Sequence, residues 1–116
     1  MDDIFCKIIK GELDHDEDKT VARDDDFMVI HDLHPQAPVH LLIIPVRHFE
    51  SLADFKEKDA ELLGKAFIMA DKVAKKLGLD NGYRLITNKG EDAGQAVSHF
   101  HIHLLGGKPL GPKIVK

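Results

Sequence analysis

His99, His101 and His103 occupy every second position of Ser98-His99-Phe100-His101-Ile102-His103-Leu104-Leu105, where polar and apolar residues alternate. Successive side chains of a β-strand point to opposite faces, so this spacing sets three imidazoles on one face and Phe100, Ile102 and Leu104 on the other. A buried imidazole needs hydrogen-bond partners, and a row of three is a costly way to fill a sheet face. The row therefore reads as a site of chemistry.

Two chemistries fit. Paired histidines on a strand can hold zinc together with a third ligand, and His31, His34, His40 and His48 are available elsewhere in the chain. Strand rise separates side chains at i and i+4 by roughly 13 Å, so without a bulge at most two of the three could share one ion. The alternative is phosphoryl chemistry. The loop Asn88-Lys89-Gly90-Glu91-Asp92-Ala93-Gly94-Gln95 precedes the histidines and can turn backbone N–H groups toward an anion. A central histidine attacking phosphorus, flanked by donors that stabilise developing charge, is a coherent nucleophilic site.

The elements that must position these residues can be read along the chain. Ile4, Phe5, Ile8 and Ile9 recur at helical spacing, predicting a short helix stopped near Gly11, with Cys6 packed within it. An acidic loop is expected from Asp14 to Lys19, followed by strands Thr20–Arg23 and Phe27–His31 around Asp24-Asp25-Asp26. Pro35 and Pro38 exclude a central strand or helix over 34–38. The apolar run His40–Ile44 before Pro45 predicts a strand buried on both faces. Asp59 is placed to cap a long helix with the stripe Leu62, Leu63, Ala66, Phe67, Ala70, Val73, Ala74 and Leu77, ended by Gly78. Strands Tyr83–Thr87 and His99–Leu105 complete an α+β pattern with a mainly antiparallel sheet. His34 and His48 read as loop residues outside the site.

The segment His99-Phe100-His101-Ile102-His103-Leu104-Leu105 resembles the defining motif of the histidine triad (HIT) superfamily, three histidines alternating with apolar residues. Ile4-Phe5-Cys6-Lys7-Ile8-Ile9, His31-Asp32-Leu33, Pro35 to His40, Ile43-Ile44-Pro45, Gly82-Tyr83-Arg84, Asn88, Gly94-Gln95 and Leu105 to Pro112 are similar to its nucleotide-binding branch. The resemblance implies a HIT-like fold over residues 1–116 as a single domain: a five-stranded antiparallel sheet with one long and one short helix, dimerising into a continuous ten-stranded sheet. It implies hydrolysis of purine nucleoside 5′-phosphoramidates, releasing the nucleoside monophosphate through a nucleotidyl-His101 intermediate. His99 and His103 are then expected to position the nucleophile and the phosphate oxygens, with His40 behind them in a hydrogen-bond relay. Asp32 is expected at the ribose, Ile4, Phe5, Ile8, Ile30, Leu33 and Leu42 around the purine, and Asn88, Gly94 and Gln95 on the phosphate side. The resemblance implies no metal and no cofactor. Ala96 departs from it, since many members carry a serine there.

Charge and composition narrow the classes. A net charge of −4 argues against nucleic-acid backbones as partners. No apolar run approaches a membrane span, and a lone cysteine fits a cytoplasmic protein. Two other readings stand beside the phosphoramidase: a zinc-binding protein or hydrolase using two triad histidines, and a nucleotide-sensing scaffold dimer with little turnover.

Overall fold

The computed structural model describes residues 3–11 and 20–112. The acidic loop expected from Asp14 to Lys19 lies outside them. Helix α1 (Ile4–Lys10) begins at Asp3, whose carboxylate accepts from the Cys6 N–H at 2.8 Å, and ends at Gly11 in the left-handed region. Strands β1 (Thr20–Arg23), β2 (Phe27–His31) and β3 (Val39–Pro45) follow, then helix α2 (Ala60–Lys76), β4 (Tyr83–Ile86) and β5 (Ile102–Gly106). They form one antiparallel sheet in the order β1-β2-β3-β5-β4.

This order puts β3 and β5 side by side, with Leu42 opposite His103 and Leu41 opposite Leu104. Opposed residues share a face. One face packs Phe27, Val29, Leu41, Ile43, Phe100, Ile102 and Leu104 against Ala66, Ala70, Val73 and Ala74 of α2. The other packs Met28, Ile30, Leu42 and Ile44 against Phe5 and Ile8 of α1. Strand β3 is thus buried on both faces, as its unbroken apolar run predicts.

Three expectations need correction. Asp59 precedes α2, but its side chain does not cap it: Oδ1 accepts from Arg47 and Oδ2 from the Lys56 N–H. Phe67 and Leu77 fit the apolar stripe of α2 yet remain exposed, and the α2 residues buried in the core are Ala66, Ala70, Val73 and Ala74. The last strand begins at Ile102, not His99. Its partner β3 ends in Pro45, which has no N–H to continue the ladder. The Pro45 carbonyl instead accepts from the His99 ring, the Phe100 N–H donates to the Phe49 carbonyl, and the His101 carbonyl accepts from the Thr87 hydroxyl.

Candidate active site

The three triad imidazoles all turn toward the α1 side of the sheet. Phe5 meets the rings of both His99 and His101 edge-on, at centroid separations of 5.9 and 5.0 Å, and His101 lies 5.0 Å from His103. Phe100, Ile102 and Leu104 fill the opposite face, as alternation predicts.

Hydrogen bonds assign a protonation state to each neutral ring. His101 Nδ1 lies 2.8 Å from the His99 carbonyl oxygen, which can only accept, so Nδ1 carries the proton and Nε2 keeps its lone pair. The Gln36 backbone N–H donates to His40 Nδ1 at 3.0 Å, which places the His40 proton on Nε2. That N–H donates to His103 Nδ1 at 2.9 Å, leaving the remaining His103 proton on Nε2. Asp32 Oδ2 stands 3.4 Å from His40 Nε2, and Asp32 Oδ1 accepts from the His34 N–H at 2.8 Å. A fixed nucleophilic lone pair on His101 therefore sits beside a donor chain running Gln36, His40, His103.

Burial is the main influence on the flanking rings. It pushes His103 down to about 4, helped by the nearby His101 and His40 rings and opposed by Asp32. Burial also lowers His99, against the Pro45 carbonyl and Asp3, which favour its charged form. For His103 the consequence is a pH-dependent stability. Between its ordinary value of 6.5 and about 4 the unfolded chain binds a proton that the folded ring refuses. Stability is therefore expected to fall as pH drops through that window. Denaturant midpoints of wild type and His103→Gln across it should differ in slope by at most about one proton, discounted for the ring's partial exposure. Parallel pH profiles would contradict the shift.

The remaining expected site residues divide. Phe5, Ile8, Ile30 and Leu42 are buried together beside the histidines, whereas Ile4 and Leu33 are exposed at 42% and 55%. Asn88 is half-buried just after β4. Gly94 takes φ +75°, a backbone conformation that favours glycine. The Gln95 amide is spent within the protein: Oε1 accepts from the Gly90 N–H, and Nε2 donates to the Glu50 and Val97 carbonyls. Gln95 thus braces the loop. The His99 ring is wholly buried, and it is the His99 carbonyl oxygen that meets the His101 ring. Ala96 is exposed.

Sequence reasoning missed one cluster. Asp3, Cys6 and His48 surround His99 Nδ1, with His48 Nδ1 at 3.2 Å, Asp3 Oδ2 at 3.3 Å and Cys6 Sγ at 3.4 Å. The only signal was Asp3 and Cys6 standing one helical turn apart; nothing local ties them to His48. Among the described residues the groups able to hold a metal are this one and Asp32, His40 and His103, so each contains a single triad histidine. The geometry does not support zinc held by two of them.

The HIT domain family matches residues 14–110. The chain belongs to the HIT domain family. It is an enzyme, a HIT family hydrolase. A HIT-like protein of Chlamydia trachomatis serovar D is 48% identical over 111 residues, covering 96% of this chain and 97% of the relative. The purine nucleoside phosphoramidase of Escherichia coli K12 is 42% identical over 112 residues, covering 96% and 92% respectively. A solved structure, a HIT family hydrolase from Clostridium thermocellum, superposes with a TM-score of 0.88 at 47% identity, over 97% of this chain and 96% of that one. No helix among the described residues of this HIT protein is long and apolar enough to cross a membrane.

Proposed function

We propose that this HIT protein hydrolyses purine nucleoside 5′-phosphoramidates, releasing the nucleoside monophosphate and an amine. The observation that carries the reading is the 2.8 Å hydrogen bond from His101 Nδ1 to the His99 carbonyl, which leaves Nε2 unprotonated on the half-buried triad face. The 42% identity to a purine nucleoside phosphoramidase supports the substrate class.

In this reading His101 Nε2 forms a bond to phosphorus as the P–N bond breaks, and the leaving nitrogen departs as an amine once protonated. The Nε2–H of His103, backed by His40, is the donor at hand for the phosphoryl group or the leaving nitrogen. Water then attacks the nucleotidyl-histidine, breaking the P–Nε2 bond and restoring the imidazole. His99 is a positioning residue acting through its carbonyl, and His40 holds His103 in one tautomer. Phe5, Ile8, Ile30 and Leu42 supply apolar surface for the base, with Ile4 and Leu33 at its open rim. Asp32 is assigned to the ribose, and Asn88, Gly94 and the backbone at Gln95 to the phosphate. Neither step calls for a cofactor.

The test is AMP release from an adenosine 5′-phosphoramidate, with the guanosine analogue alongside. Turnover of either supports the reading; binding of AMP without turnover of either compound would sink it.

The same proposal treats residues 1–116 as a single domain working in the cytoplasm as a homodimer. Strand β4 is one of the two edge strands of the sheet, and Phe67 and Ile68 of α2 are exposed at 44% and 58%. Pairing two β4 edges would join two five-stranded sheets into one of ten and cover apolar surface. Sedimentation equilibrium is expected to give twice 13.0 kDa; a mass of 13.0 kDa would refute the dimer.

A further inference from the structure

The strand ladders stop one residue short of the central histidine of the row. Strand β5 pairs with β3 as far as Ile43 opposite Ile102, and with β4 as far as Ile86 opposite His103. Continued in the same register, the second ladder would set Asn88 opposite His101, but both ladders have ended by then. The peptide that carries His101 is fixed by other means. Its ring Nδ1 is bonded to the His99 carbonyl at 2.8 Å, and the neighbouring Phe100 N–H donates to the Phe49 carbonyl at 2.6 Å. The His101 carbonyl accepts from the Thr87 hydroxyl at 3.0 Å.

These tethers differ in what they tie together. The ring bond joins two residues of one segment, so ring and carbonyl can shift as a unit. The Thr87 bond refers that segment to the end of β4 and to the loop that begins at the next residue, Asn88. Asn88 and Gly94, assigned above to the phosphate, lie on that loop. One hydroxyl thus relates the attacking nitrogen to the groups assigned to its target. Reacting groups must be held to within about 0.5 Å, and a misplacement of about 1 Å can cost about two orders of magnitude in rate. The fold has little need of the same bond. Thr87 is exposed, and β4 is paired with β5 from Tyr83 to Ile86 without it.

We propose that Thr87 is a positioning residue for His101, its hydroxyl holding the backbone of the attacking ring in place against the loop that begins at Asn88. The proposal rests on the reading of His101 as the nucleophile.

The experiment compares Thr87→Val, which keeps the side-chain shape without the hydroxyl, with Thr87→Ser, which keeps the hydroxyl. For an adenosine 5′-phosphoramidate, Thr87→Val is expected to lower kcat about tenfold with KM within about twofold. Thr87→Ser should stay within about twofold of wild type in both. Thr87→Ala should match Thr87→Val, which separates the hydrogen bond from side-chain bulk. Each Tm should lie within about 4 °C of wild type, as for an exposed substitution. A second readout needs no substrate. In ¹⁵N imidazole spectra of wild type, His101, identified by the signals lost in His101→Ala, should show the Nδ1–H tautomer. Thr87→Val should move its two nitrogens toward the average of both tautomers, and Thr87→Ser should leave them in place. A kcat of Thr87→Val within twofold of wild type, a loss in Thr87→Ser as deep as in Thr87→Val, a change confined to KM, or His101 signals indifferent to Thr87→Val would each overturn the proposal. A wild type without turnover would sink the proposed activity instead, and the spectra would still decide whether Thr87 holds the ring.

Discussion

His101→Ala is expected to lower kcat for an adenosine 5′-phosphoramidate by about three orders of magnitude or more, while AMP binding stays within about threefold. The split between kcat and binding follows from where the ring sits. It is half-buried, with Nδ1 bonded to the His99 backbone carbonyl. Truncation removes the atom proposed to bond phosphorus and leaves the apolar cluster of Phe5, Ile8, Ile30 and Leu42, which the proposal assigns to the base, in place. His103 cannot take over, because its Nδ1 is engaged by His40 and its Nε2 carries the proton. Rates with saturating substrate, and AMP affinity by calorimetry, check both halves. Residual activity within tenfold of wild type would show that His101 is not the nucleophile.

The largest expected loss of stability comes from Phe100→Ala, about 3–5 kcal/mol, which for a domain of this size lowers Tm by roughly 15–30 °C. Phe100 is 2% exposed, packs in the α2-side core, and meets Phe55 edge-on at 4.9 Å. Its N–H also donates to the Phe49 carbonyl, anchoring the chain where β5 has not yet begun. Removing the ring opens a cavity on the α2 side of the segment that carries His99 and His101, so kcat should fall even below the new Tm. Leu33→Ala, at a side chain 55% exposed, should change stability by no more than about 0.5 kcal/mol. Thermal melts of the two variants decide the matter; equal losses would mean that Phe100 is not the anchor.

Features set by near neighbours were legible in the sequence. Alternation assigned Phe100, Ile102 and Leu104 to the core and turned the three histidines the other way. The unbroken run before Pro45 identified a strand covered on both faces, and Gly11 ended α1 as expected. The α+β order and a mainly antiparallel sheet followed from those elements, and the five-stranded form, which the family resemblance implied, is the one observed. Each depends on periodicity, capping or a missing N–H, forces that act within a few residues.

Contacts between distant segments were not legible. Gln95 was read as a phosphate contact, yet its amide is consumed by Glu50, Gly90 and Val97. His48 and Cys6 were set aside as loop and packed core, yet they meet at His99 across 51 and 93 positions of chain. The start of β5 depended on Pro45, which becomes its neighbour only when the sheet forms. By itself the sequence determined which residues could do chemistry and which face they share. Only the tertiary structure decided which imidazole nitrogen keeps its lone pair and which ring is closed off from solvent, because those follow from the carbonyls, amides and carboxylates that packing brings against each ring.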